Sequence, residues 1–259
     1  MISEQKIFLP KALRPYYSNN LIRLGSKYDG GYVVSNKNIH LSKFLISMGI
    51  DYNFDFELDF FKYTQKSVIM FDFTSTKISL LKSLIKDLIF LRFQELKNHF
   101  IGLIHHFFFL SKRDVELINK FVGYDIDNQI SFKSVVSKFL RNKKKNHKGI
   151  LKIDIEGSEY RILSDILSYQ HLFLDIVIEF HDVDINLQKI IYFSSKLKKN
   201  IININVNNYG FILPNGLPKT IEITFSNDHI NSQYKKYFSN ILNAPCNPKG
   251  KVFHEIFFK

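Results

Sequence analysis

The sequence predicts an α/β protein with a Rossmann-like, mainly parallel sheet. Short apolar runs that suit buried strands alternate with segments of helical periodicity. The first two runs are separated by a glycine turn and a helical segment, and the second ends in an acid, as in the opening of a nucleotide-binding unit. Later runs end in acids, amides and a histidine, at the sheet edge where α/β proteins bind ligands.

Residues 25–34, with Asp29, Gly30, Gly31 and Tyr32, read as a turn feeding a short strand. Residues 44–50 are a buried strand ending at Gly49, residues 54–63 a helix, and residues 67–73 a second strand carrying Asp72 near its end. Ile78, Leu81, Leu84, Ile85, Leu88 and Leu91 form a helical stripe. The run 99–110 is too apolar for a simple amphipathic helix and holds either the third strand or a packed helix. We therefore expect 78–110 to be mostly helical, packed as an insertion or serving as a contact between subunits, because large apolar surfaces usually meet a partner. Residues 131–140 read as helix and 141–148 as a basic loop. Strands at 149–155 and 174–180 are each followed by a helix, at 157–167 and 184–197. Strands at 201–206 and 219–225 are joined by a Gly/Pro-containing loop, so they pair as an antiparallel hairpin.

The 259 residues suit a single domain, with 1–22 as an N-terminal extension. One cysteine, Cys246, excludes an intrachain disulfide and a thiolate metal cluster. There is no secretory signal and no apolar run of transmembrane length, so a cytoplasmic location is expected. The net charge of +12 reflects either a solvated lysine-rich surface or an anionic partner: nucleic acid, an acidic membrane surface or a phosphorylated substrate.

Four strand ends carry candidate chemistry. Gly49 lets a ligand approach the backbone, and Asp72, 23 residues on, can accept hydrogen bonds from two ribose hydroxyls. No pyrophosphate-binding G-x-G-x-x-G is present, which favours a nucleoside ligand without a diphosphate over NAD. Asp154 and Glu156 alternate onto one side of their strand. Glu159 reads as a helix-start residue favoured by the helix dipole. Glu179, His181 and Asp182 reach the same edge. His181 suits a general base. Alternatively, Asp154, Glu156 and His181 or Asp182 suit a divalent metal, with Mg²⁺ or Mn²⁺ matching the oxygens and the imidazole admitting iron. Asn205, Asn207 and Asn208 offer amides that suit either a hydroxylated ligand or a turn.

The stretch LKIDIEGSEYRIL resembles the signature of FkbM-type S-adenosylmethionine (SAM)-dependent methyltransferases. RLGSKYDGGYVV, LISMGIDYNFDFE, IMFDFT, IEFHD, NVNNYG and LPKTIEITF follow in the order seen in that group. The resemblance implies a class I methyltransferase fold, with a seven-stranded sheet and an antiparallel last strand, binding SAM. It places Gly49, Asp51 and Asp72 at the cofactor, with Asp29, Gly31 and Tyr32 among its neighbours. Asp154 and Glu156 would border the methyl-transfer centre, facing His181, with Asp182, Asn207 and Asn208 toward the substrate. The first loop reads SMGIDY rather than Gly-x-Gly, and Asn205 stands where a histidine often begins the Asn-Asn motif.

The expected activity is O-methylation of a sugar hydroxyl, on a nucleotide-activated sugar or a glycan precursor of a surface polysaccharide. The basic run 141–148 is a candidate clamp for its phosphates. An RNA-binding protein or RNA methyltransferase is the alternative. It needs stacking aromatics on a basic face, whereas Phe107, Phe108 and Phe109 sit in an apolar run, so no stable nucleic-acid partner is expected. A non-catalytic version of the fold is opposed by the retained Asp72, Asp154, Glu156 and His181.

Overall fold

The computed structural model describes residues 6–140, 147–235, 237–250 and 255–259. The chain opens with β1 (Ile7–Leu9), the hairpin β2 (Leu21–Gly25) and β3 (Gly31–Ser35), and helix α1 (Asn36–Leu41). Next come β4 (Phe44–Met48), α2 (Asp55–Thr64), β5 (Ser67–Phe71), two successive helices α3 (Lys77–Ile89) and α4 (Phe93–Phe109), and β6 (Val115–Ile118). A small parallel pair, β7 (Phe121–Gly123) and β8 (Gln129–Ser131), leads into α5 (Phe132–Leu140). The second half runs β9 (Gly149–Ile153), α6 (Leu163–Tyr169), β10 (Phe173–Phe180), α7 (Val183–Lys196), β11 (Asn200–Val206) and β12 (Ile221–Ser226). β13 (Tyr237–Phe238) and β14 (Ile256–Phe258) close the chain, and β14 pairs with β1.

The main sheet has seven strands in the order β11-β12-β10-β9-β4-β5-β6. β10, β9, β4, β5 and β6 pair in parallel, while β12 runs antiparallel to both neighbours. This is the class I methyltransferase arrangement, with the last strand of the sheet inserted in reverse. The pleat sorts the strand side chains into two cores. Ile46, Leu151, Ile176 and Ile178 meet α5, α6 and α7 on one face. Leu45, Met70, Ile150 and Val177 meet α1, α2 and the β2–β3 hairpin on the other. With both faces covered, the strands read as continuous apolar runs, which is why they are visible in the sequence.

One open alternative is decided and one expectation is corrected. Of the two readings of residues 99–110, the packed helix is the one found: they lie in helix α4 and its C-terminal end, and the third strand is β6. β6 is a four-residue edge strand interrupted by Glu116, too short to show a pattern. The expected single helix over 157–167 is a 3-10 turn at Glu159–Arg161 followed by α6. Glu156 and Gly157, at φ 51° and 90°, turn the chain sharply after β9 and rotate Glu159 inward.

Phe193 of α7 is buried, with its ring edge-on to Phe225 at 5.6 Å. Phe193→Ala should cost about 3–5 kcal/mol of unfolding free energy through the cavity it leaves. A urea titration reads this as a lower midpoint at unchanged slope.

Candidate functional site

The loop after β4 is fastened from within the protein. Gly49 has φ 77°, and a Cβ there would lie 1.5 Å from the carbonyl oxygen of Asp154. The glycine is thus required where the ends of β4 and β9 abut. Its own carbonyl accepts a hydrogen bond from the buried Lys152 ammonium, which lies over the Tyr32 ring. Asp72 is buried, and one oxygen accepts from the backbone N–H of Ile50 and Asp51, both at 2.7 Å. The other accepts from the backbone N–H and hydroxyl of Thr74 and from Ser75 N–H. A carboxylate expected to receive ribose hydroxyls is therefore occupied in shaping the loop that would hold them. Asp51 is left at the surface of that loop at φ 51°, and partial desolvation together with the neighbouring Asp72 pushes its carboxyl up to about 6.

β9 and β10 are sheet neighbours, so their ends bring Asp154, Glu156 and His181 together. His181 Nε2 stands 3.9 Å from Asp154 Oδ1 and 3.4 Å from Glu156 Oε2. Its Nδ1 lies 3.0 Å from Glu159 Oε1, which also accepts the His181 backbone N–H at 2.7 Å. Glu159 is wholly buried while the Glu156 side chain is 87% exposed, so the imidazole is anchored on one side and open on the other. The Tyr160 hydroxyl donates to the His181 carbonyl at 2.5 Å and fixes the backbone as well. Burial alone would lower the imidazole pKa. The Glu159 hydrogen bond and the charges of Glu159, Asp154 and Glu156 outweigh burial and hold it above its ordinary value.

Beneath this cluster lies a buried polar layer. Glu179, one pleat before His181, accepts from Asn207 Nδ2 at 2.7 Å and from the Tyr32 hydroxyl at 3.3 Å. The same hydroxyl donates to Asp154 at 2.9 Å. Glu222 lies directly across from Glu179 in β12 and accepts from Asn205 Nδ2 and the Cys246 thiol, both at 3.1 Å. Burial pushes the Glu222 carboxyl up to about 7, and burial with the charge of Asp154 raises Glu179 well above the usual carboxylate range.

The remaining sequence candidates divide. Tyr32 joins the cluster from the N-terminal hairpin, and Asn207 joins it through Glu179. Asp29 is exposed at the hairpin tip, where burial of its surroundings and the charge of Asp154 raise its carboxyl pKa. Gly31 is required by the hairpin itself, since a Cβ would lie 2.0 Å from Ser26 O. Asp182 faces Lys219 at 3.4 Å, and Asn208 exchanges hydrogen bonds with Asn247, so both are engaged outside the cluster. Most of the basic run 141–148 lies outside the described residues. The sequence reading gives Glu159 only a helix-start role and does not name Glu222. The available signal was a charged residue inside an otherwise apolar strand, which for Glu222 is ITF preceded by a lone acid.

The arrangement suits a positive ligand. Burial first, and then the charges of nearby acids, raise the carboxyl pKa values of Asp29, Asp51 and Glu156. Such crowding is relieved by a cation. Donor atoms of Asp154, Glu156 and His181 lie within 4.8 Å of one another, a span that fits one divalent ion.

Residues 120–213 match the family model described as the methyltransferase FkbM domain. That segment contains Asp154, Glu156, Glu159, Glu179, His181 and Asn207. No curated protein matches the chain significantly. Among solved structures, the chain is similar to a "putative RNA methyltransferase" from Pyrococcus horikoshii, at 12% identity and TM-score 0.37, over 72% of this chain and 75% of the other. It is also similar to precorrin-6Y C5,15-methyltransferase from Geobacter metallireducens GS-15, at 10% identity and TM-score 0.37, over 71% and 80%.

A folded-state pKa above the unfolded one means stability that is full at low pH and lost as pH rises. For Glu222 the window runs from its unfolded value of 4.5 to about 7. Glu222→Gln should therefore lose less stability than the wild type across this window, with the part due to Glu179 remaining. Urea midpoints measured at several pH values check this, and parallel curves for the two proteins would contradict it.

Proposed function

We propose, from the FkbM methyltransferase domain carried by residues 120–213 and the cluster around His181, that this chain moves a methyl group from SAM to a sugar hydroxyl. The acceptor we favour is a nucleotide-activated sugar or a glycan precursor of a surface polysaccharide. The observation that carries the reading is the two-sided hold on His181: Nδ1 on buried Glu159, Nε2 on the open side beside Asp154 and Glu156.

SAM, when bound, supplies an electrophilic methyl on a sulfonium and leaves as S-adenosylhomocysteine. The acids Asp29, Asp51 and Asp154 complement its sulfonium and ammonium charges and gain a counterion where Asp154 now stands near Asp29, and Asp72 and Glu156 near Asp51. His181 takes the hydroxyl proton on Nε2 as the oxygen–methyl bond forms. Glu159 accepts from Nδ1–H, selects the tautomer with Nε2 free, and stabilises the imidazolium that results. Asp154, fixed by the Tyr32 hydroxyl, accepts a hydrogen bond from the sugar. A divalent cation fits Asp154, Glu156 and His181 and would supply polarisation of the hydroxyl. With a cation bound, His181 would be a ligand and the proton would pass to another acceptor, so the two arrangements are exclusive.

His181→Ala should lower kcat/KM by about 10²–10⁴-fold. Glu159→Gln keeps the hydrogen-bond acceptor but removes the charge that raises the His181 pKa. Its activity should still fall at low pH, but with the acid limb moved to lower pH. Full activity in His181→Ala, or an unmoved acid limb, would exclude His181 as the base. Loss of activity on exhaustive chelation, restored by Mg²⁺, Mn²⁺ or Fe²⁺, would select the metal arrangement.

Calorimetry should show binding of S-adenosylhomocysteine that Asp51→Asn weakens by roughly 1–3 kcal/mol, the scale of a hydrogen bond to a charged group. Binding of NAD in place of S-adenosylhomocysteine would overturn the methyl-transfer reading.

A further inference from the structure

Helices α3 and α4 form a hairpin with an unusual division of surface. One face is packed. Asp87 and His99 clasp the two helices together at 2.6 Å. Gly102 lies against the backbone of Tyr52, so closely that a Cβ would be 2.6 Å from its carbonyl oxygen. Phe109 is buried against Phe61. The opposite face and the tip are apolar and open to water. Ile85, Ile89, Phe90, Leu91, Phe93 and Phe108 are each 60–69% exposed. Ile78, Leu81, Ile85 and Ile89 recur at helical spacing along α3, so the exposed face is a continuous stripe. The hairpin is thus tied to the body along α4 from His99 to Phe109, while its tip and outer stripe have no cover among the described residues.

Charge decides what covers it. Residues 77–113 contain seven Lys/Arg and two acids, Asp87 and Glu95. Asp87 is buried in the clasp, and none of the seven bases is in an ion pair among the described residues. A second copy would bring an equally basic stripe, on a chain of net charge +12, against this one. An anionic surface instead takes the apolar stripe into its hydrocarbon and the lysines into its headgroups. No described helix is long and apolar enough to cross a membrane, so the hairpin would lie in the interface.

We propose that the α3–α4 hairpin docks this protein on the surface of an anionic lipid bilayer. The tip residues Phe90, Leu91 and Phe93 enter the acyl boundary, while Lys82, Lys86 and Arg92 meet lipid phosphates. The inference does not depend on methyl transfer. It does bear on the site, because α3 begins just past Asp72, and His99 of α4 packs edge-on to Tyr52 of the loop after β4 at 4.6 Å. Docking would bring that loop to the bilayer.

The chain contains no tryptophan, so Phe90→Trp gives a single reporter at the tip. With vesicles of phosphatidylcholine and phosphatidylglycerol in equal parts, its emission should shift to the blue and be quenched by brominated acyl chains. The 259-residue chain should co-sediment with these vesicles, less at high salt, and not with phosphatidylcholine alone. The double variant Phe90→Asp/Phe93→Asp should lose at least about tenfold in vesicle affinity, with an unchanged thermal melt. An unshifted emission without co-sedimentation would overturn the proposal. So would equal binding to neutral vesicles. A dimer in sedimentation equilibrium that the double variant dissociates, without vesicle binding, would assign the face to a second copy.

Discussion

Taking the carboxyl group of Glu179 out of water is the constraint on which this site depends. A carboxylate buried without partners costs several kcal/mol. β10 is a central strand and cannot expose the residue, so partners must come to it. The Tyr32 hydroxyl arrives from the N-terminal hairpin, and the Asn207 amide from just past β11. Glu222 stands across the ladder with partners of its own, Asn205 and Cys246. Burial raises the pKa of both acids, so their neutral forms are favoured where two charges would repel. These demands pin distant segments to one place. Tyr32 in turn holds Asp154 beside His181, so the open site is arranged by the buried layer beneath it.

The same layer explains why the hairpin β2–β3 belongs to the sheet without joining its ladder. Ser35 N–H donates to Asp175 at the start of β10, Val33 O accepts from Thr224, and Tyr32 reaches Glu179 near the end. The hairpin lies over β10 and β12 and is held at three points by polar contacts. Asn38 adds a fourth, donating to Asp175 at 2.6 Å, yet burial still pushes the Asp175 carboxyl up to about 6. A purely apolar hairpin would slide more easily over β10. Buried hydrogen bonds fix its register instead, because a slipped hairpin would leave these buried donors and acceptors without partners.

How much of this was legible follows from what each residue answers to. β4, β5, β9, β10, β11 and β12 were visible because strands covered on both faces are rich in apolar β-formers, which the asparagines of β11 and the acids of β10 and β12 interrupt without breaking. β6 was not, since a short edge strand leaves no period to read. The meeting of Asp154, Glu156 and His181 was legible, because consecutive strands of such a sheet often lie side by side. The part played by Glu159 was not. Its position after a strand suits a helix start as well as a partner for histidine, and only the left-handed turn at Glu156 and Gly157 decides between them. Gly49 and Asp72 also serve backbone packing and loop fastening, which no one-dimensional pattern separates from ligand contact.

The net charge of +12 describes the far field and the acids describe the near one. At physiological salt, surface charge is screened within about 8 Å, so the approach of a ligand and its final seat answer to different residues. An acceptor that joins an anionic group to a neutral polyol would be drawn in by the lysines. At the mouth it would meet Asp51, Asp154 and Glu156, where a phosphate is repelled and a hydroxyl is a good partner. The polyol end would then enter first and the anionic end would remain outside. Orientation of this kind needs no dedicated phosphate pocket. It needs only a basic body with an acidic mouth, and the burial constraint on Glu179 already places acids at that edge.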